Sequence, residues 1–264
     1  NGIVKEGISQ SGQEVTLAVA QSMGRRESSV CRMASASHTD VIPVDIGIAA
    51  SCKIDGVLDE KIACGTRNFA KEPAMTEKET LDAIDTGVRL VKQCKENGYQ
   101  ILATGEMGIG NTTTSSAVTA ALLHRLASET AGRGAGLNDK GLSRKKQVIQ
   151  EAIDRYDLYK ADAFTVLQTV GGFDIAGMCG LMLGGAIYRI PVVLDGLISL
   201  MAALLAQKFC PLVADFLLPS HMGKEPACGM AMETLGLEAS IYGNLALGEG
   251  TGAVMLFPLL DMAE

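Results

Sequence analysis

Two glutamates lie inside glycine turns. Glu106 sits in Gly105–Glu106–Met107–Gly108–Ile109–Gly110, and Glu249 sits in Leu247–Gly248–Glu249–Gly250–Thr251–Gly252. A glutamate between glycines has backbone freedom and little steric cover. If Glu249 faces an apolar cleft, desolvation raises its pKa toward neutrality and makes it a useful general base. The competing reading is a solvated turn residue. Glu106 shares its turn with features of an anion site, where an acid repels phosphate unless it faces another part of the substrate.

Those features come from the surrounding chain. Gln100–Ile101–Leu102–Ala103–Thr104 is a short apolar run that reads as a buried parallel strand. Ala117 to Leu126 reads as a helix. A strand, a glycine turn and a helix N-terminus present free N–H groups and the positive end of a helix dipole to an anion. The spacing imitates a nucleotide-binding P-loop, but Asn111 stands where that motif needs lysine. A single phosphate is therefore the better ligand. A second glycine loop, Gly132–Arg133–Gly134–Ala135–Gly136, precedes a helix expected to start at Ser143 and run to about Tyr156. Lys145 and Lys146 then fall in its first turn, where lysine opposes the dipole unless an anion is near. Either is a phosphate candidate, with an exposed lysine as the alternative. Asp45, Glu106 and Asp195 at strand ends, with Asp174, offer a magnesium site only if they converge in space.

The other elements must bring these turns together. Gln13 to Met23 and Thr76 to Asn97 have helical spacing, the latter opening with a capping box of Thr76 and Glu79. Residues 24–40 read as irregular, 41–48 as a strand ending in acid and glycine, and 50–76 as a long surface excursion. A helix follows over 161–170, and after a break at Gly171–Gly172–Phe173–Asp174 an apolar, glycine-rich helix runs through Tyr188. Then come a buried strand at Pro191–Asp195, a helix at Leu197–Lys208, a strand at Val213–Leu218, and helices at Glu225–Leu235 and Ala253–Met262. This alternation predicts an α/β fold of Rossmann-like type, a mostly parallel sheet with helices on both faces. It is read as a single domain over 1–264.

Composition narrows the function classes. The 264 residues carry 23 basic and 30 acidic side chains without a basic run, which argues against nucleic-acid binding. Seven scattered cysteines without a Cys-x-x-Cys pair indicate free thiols in a reducing, cytoplasmic setting. The three histidines stand far apart. The most apolar region, Ile175 to Ala206, is interrupted by Arg189, Pro191 and Asp195, so no run reaches the roughly 18 residues of a membrane span.

The run Gly105 to Val118, GEMGIGNTTTSSAV, resembles the signature of nicotinate-nucleotide:dimethylbenzimidazole phosphoribosyltransferases. Gly65–Thr66–Arg67–Asn68–Phe69, Glu72–Pro73–Ala74–Met75–Thr76, Gly171–Gly172–Phe173, Val193–Leu194–Asp195–Gly196 and LGEGTGA at 247–253 extend the resemblance in order along essentially the whole chain. Against that family the chain lacks an N-terminal helical segment and has a shortened tail. The resemblance implies transfer of phosphoribose from nicotinate mononucleotide to 5,6-dimethylbenzimidazole, giving α-ribazole 5′-phosphate and nicotinate. It implies no cofactor or metal, and it implies a homodimer. It places the catalytic glutamate at Glu249 and a second active-site acid at Glu106. Phosphate contacts fall on Gly108, Gly134, Gly136 and Lys145, and Gln13 falls at the mouth of the base pocket. Asp195 and Ser220 are further substrate contacts. Rival readings are a related transferase using adenine, a phenol or another benzimidazole, a non-catalytic base- or nucleotide-binding fragment, and a magnesium-dependent phosphotransferase.

Overall fold

The computed structural model describes residues 1–263. In chain order its elements are α1 (Glu14–Gly24), α2 (Ser29–Ala36), β1 (Val44–Asp45), β2 (Leu58–Asp59), α3 (Glu77–Glu96), β3 (Leu102–Ala103), α4 (Asn111–Leu122), α5 (Ala127–Thr130) and α6 (Asp139–Arg155). There follow α7 (Ala163–Val170), α8 (Phe173–Tyr188), β4 (Val192–Leu194), α9 (Leu197–Phe209), β5 (Leu217–Pro219), α10 (Pro226–Leu235) and α11 (Thr251–Asp261). All strand pairings are parallel. β1 pairs with β2, and β3, β4 and β5 lie side by side in that order. The α/β alternation is therefore present, with strands much shorter than the apolar runs that announce them.

The long amphipathic helix α3 forms as expected. The Thr76 side chain accepts from the Glu79 N–H at 3.2 Å, and the Glu79 carboxylate accepts from the Thr76 N–H at 2.6 Å. Each satisfies an amide that the first helical turn leaves without a partner. The buried face of α3 lies on α8 at unusually close approach. A Cβ at Gly87 or Gly180 would overlap the backbone of the facing helix, at Gly177 and Ile84 respectively. The glycine richness of α8 thus serves helix packing. The apolar run after it becomes β4 and the buried helix α9, in which Leu200 to Ala206 are at most 1% exposed. Among the described residues no helix is long and apolar enough to cross a membrane.

Four local expectations are corrected. Residues 24–40 are not irregular, because Ser28 caps α2 and accepts from the Cys31 N–H at 3.4 Å. The buried face of α2, Val30, Cys31 and Ala34, packs with Val254 of α11. Its eight residues are too short for a clear periodic signal. The excursion at 50–76 contains β2, and its end is pinned where Ala74 N–H donates to Thr169 O at 2.9 Å. Residues 211–216 form a 3-10 turn begun by Pro211, so β5 starts only at Leu217. Finally, α6 begins at Asp139 with Asn138 as its cap, whose Oδ1 accepts from the Gly141 N–H at 2.8 Å. Ser143 and Lys145 therefore lie inside the helix, and the dipole argument for a first-turn lysine does not hold.

Candidate active site

The two glutamate turns meet backbone to backbone. β3 leads into the first turn, and the second leads into α11. An added Cβ at Gly105 would stand 2.6 Å from Glu249 O and 2.7 Å from the Gly250 Cα, so only glycine permits this junction. Glu249 N–H donates to Glu106 O at 3.1 Å. Glu249 itself has φ +61°, a left-handed conformation that a non-glycine residue adopts only when its surroundings hold it there. The holding group is Asp195, at the end of β4. Its Oδ1 accepts from Gly252 N–H at 2.9 Å and Ala253 N–H at 3.2 Å, and its Oδ2 accepts from Gly250 N–H at 3.2 Å. Burial pushes Asp195 up, and the neighbouring His221 opposes that shift. Ser220 is equally occupied, donating to Leu194 O at 2.6 Å and bonding His221 Nδ1 at 2.9 Å. Asp195 thus supports the Glu249 turn directly, whereas Ser220 holds His221 against the end of β4.

Glu106, Gly108, Gln13 and half-buried Glu249 line a cavity of about 900 Å³. That volume lies at the upper end for small-molecule sites. One Glu249 oxygen accepts from the N–H of Val30 in the first turn of α2, at 3.2 Å. Gln13 donates to Asn1 O at 3.0 Å. The Glu106 carboxyl is buried against Asn111, whose amide nitrogen donates to it and, at 3.0 Å, to Asp174. Burial, and then the charge of Asp174, push the Glu106 carboxyl up to about 8. A group in that state keeps its proton at neutral pH.

Gly134, Gly136 and Lys145, expected as phosphate contacts, do not line this cavity; they lie on α6 and the loop between α5 and α6, against the start of α4. Lys145 is fully buried, and its Nζ donates to Thr112 Oγ1 and Gly132 O, both at 3.0 Å. Burial lowers its pKa to about 8, against the opposing charge of Glu225. Gly134 N–H donates to Glu225 Oε1 at 3.0 Å. Gly136 turns the loop with φ +102°, and its carbonyl accepts from Gln10 at 2.6 Å. The structure thus joins the Gly134 loop and Lys145 at Thr112 in the first turn of α4, one turn of chain from Gly108. Asp45 is not part of this group. It caps its own turn through Gly47 and Ile48 and pairs with Lys61 at 2.6 Å. Among the described residues no three His, Cys, Asp or Glu side chains gather as a metal site requires.

Asn111, Thr112 and Glu225 were not foreseen as site residues, and Asp174 was considered only for magnesium. Asn111 carried a readable signal, its place beside the last glycine of the turn. Glu225 carried none, because its partner lies 91 residues away.

A sequence model of the DBI_PRT family, described as Phosphoribosyltransferase, matches residues 1–264. The nicotinate-nucleotide–dimethylbenzimidazole phosphoribosyltransferase of Clostridium perfringens is 41% identical over 263 residues, covering 100% of this chain and 73% of the relative. The protein of the same name from Ruminiclostridium cellulolyticum is 43% identical, with 100% and 75% covered. The crystal structure of CobT from Thermus thermophilus superimposes with a TM-score of 0.95 at 37% identity, covering 100% of this chain and 79% of that one. From the match along its full length and these relatives, the chain belongs to the DBI_PRT phosphoribosyltransferase family.

Proposed function

We propose that the chain transfers the 5-phosphoribosyl group of nicotinate mononucleotide to 5,6-dimethylbenzimidazole. The products are nicotinate and α-ribazole 5′-phosphate. The observation that carries this reading is the junction of the two glutamate turns on one wall of a large cavity, with a buried lysine and a glycine loop at the adjoining helix start.

The reaction is a displacement with inversion at the anomeric carbon. The bond from that carbon to the pyridinium nitrogen breaks and its electron pair returns to the ring, so nicotinate leaves with a neutral ring nitrogen and needs no acid. One benzimidazole nitrogen forms the new bond, and the proton on the other must be removed. Glu249 is the base in this reading, since its carboxylate reaches the cavity on a turn held rigid by Asp195. Glu106 keeps a proton, so it donates a hydrogen bond to a ribose hydroxyl rather than offering a negative charge. Lys145 and the N–H groups of the 132–136 loop receive the 5′-phosphate.

Nicotinate release from the mononucleotide in the presence of 5,6-dimethylbenzimidazole tests the reading. Release that depends on the acceptor supports it. Nucleotide binding without release would favour a binding protein, and release only with adenine or a phenol would move the acceptor assignment. A homodimer accompanies the proposal. Met255, Leu259 and Met262 form an exposed apolar stripe on one side of α11 and its end, and a molar mass near twice 27.6 kDa by light scattering would support pairing.

A further inference from the structure

Glu225 stands just before α10, between exposed Lys224 and exposed Pro226. Its side chain turns inward from there to the glycine loop. Oε1 takes the Gly134 N–H at 3.0 Å. Oε2 lies so close to Gly132 that a Cβ there would overlap it, yet this oxygen is buried without a hydrogen-bond partner among the described residues. Lys145, buried nearby, gives its bonds to Thr112 and Gly132 O and forms no ion pair with Glu225 among the described residues. A carboxylate held by one N–H with its second oxygen orphaned is incompletely compensated for its lost hydration. It occupies a donor that a phosphate in this loop would require.

We propose that Glu225 is an internal anion that competes for the phosphate cradle, and that the 5′-phosphate of the nucleotide must displace it to reach the Gly134 N–H. This inference rests on the reading of the 132–136 loop and Lys145 as the phosphate site. A dianion with three oxygens satisfies Gly134, Lys145 and Thr112 together, which a single carboxylate does not. Weak monovalent anions lack that advantage and leave Glu225 in place. The displaced side chain has solvent beside it at Lys224 and Pro226. On product departure it returns to Gly134 and keeps a charged partner near the buried lysine. Glu225 thereby lowers the affinity of the cradle for phosphate and favours release of the phosphorylated product.

The test is calorimetric titration of inorganic phosphate into the wild-type chain and its E225Q, E225D and K145A variants, with melting curves to verify folding. E225Q removes the competing charge, and E225D keeps the charge but withdraws it by one methylene. Both should bind phosphate about ten-fold tighter than wild type, the equivalent of one weakened charged hydrogen bond. K145A should bind markedly more weakly. Unchanged or weaker phosphate binding in E225Q and E225D, with K145A impaired, would overturn the displacement and leave Glu225 as a fixed brace of the loop. Phosphate binding unaffected by K145A would instead overturn the cradle assignment and the role of Glu225 with it.

Discussion

The backbone N–H of Glu249 donates to the carbonyl oxygen of Glu106 at 3.1 Å, across 143 residues of sequence. Two turns far apart in the sequence are one hydrogen-bonded junction. The side chains of the two acids are therefore held in register by main chain, which is stiffer than any side-chain contact between them.

Gly105 makes that junction possible, so Gly105→Ala should separate the turns. Its Cβ would press on Glu249 O at 2.6 Å. Overpacking of this kind costs about 1–3 kcal/mol. We expect a lower midpoint in urea and a fall in kcat. Wild-type kcat in a less stable variant would show that the junction is structural only.

Glu249→Gln keeps the size of the side chain and its acceptor oxygen for the Val30 N–H. It removes the base. Positioned general bases contribute roughly 10²–10⁴-fold, and kcat for nicotinate release should drop within that range at nearly constant KM. Loss of less than a factor of ten would remove Glu249 from the catalytic role.

Asp195 accepts three N–H groups of the turn that carries Glu249. Asn at this position offers one acceptor oxygen and turns an NH2 group toward the remaining donors. The cost of unsatisfied buried donors is about 1–3 kcal/mol. Asp195→Asn should therefore destabilise the fold, and it should lower kcat more than it raises KM for the nucleotide. Denaturation midpoints and steady-state constants, measured together, check both parts.

The buried Glu106 carboxyl gives a stability that depends on pH. Its ordinary value is 4.5 and its folded value is about 8. Between these the folded chain holds a proton that the unfolded chain has lost. Stability from this group thus falls as pH rises through that window. Glu106→Gln removes the titration, so its melting temperature should decline less than that of wild type between pH 5 and about 8. Parallel curves for the two proteins would contradict the assignment.

Lys145→Ala should weaken nucleotide binding by about 1.5–3 kcal/mol, the range for a hydrogen bond to a charged group. The observable is the Michaelis constant for nicotinate mononucleotide. An unchanged constant would place the phosphate elsewhere.

Much of the scaffold was legible because its signals are local. The Thr76 and Glu79 capping box acts within a few residues of itself, whereas the helix read over Ala117–Leu126 begins earlier, at Asn111 directly after the glycine turn. Motif order along the chain also sufficed to place it in its family. Local signals failed where two were in competition. Asn138 and Ser143 can each cap a helix, and the choice of Asn138 moved Lys145 from an exposed first turn into the interior.

The sequence by itself determined most of the helices, though not α2 or the start of α6, and the glycine turns with the two glutamates they carry. Only the tertiary structure decided what each polar group faces. Asp195 became the brace of the Glu249 turn, Asn111 came to join Glu106 to Asp174, and Glu225 came to lie on the Gly132–Gly134 loop. The physical reason is range. A cap or a turn is set by neighbours in the chain, whereas desolvation and hydrogen bonding between elements exist only after the chain has packed.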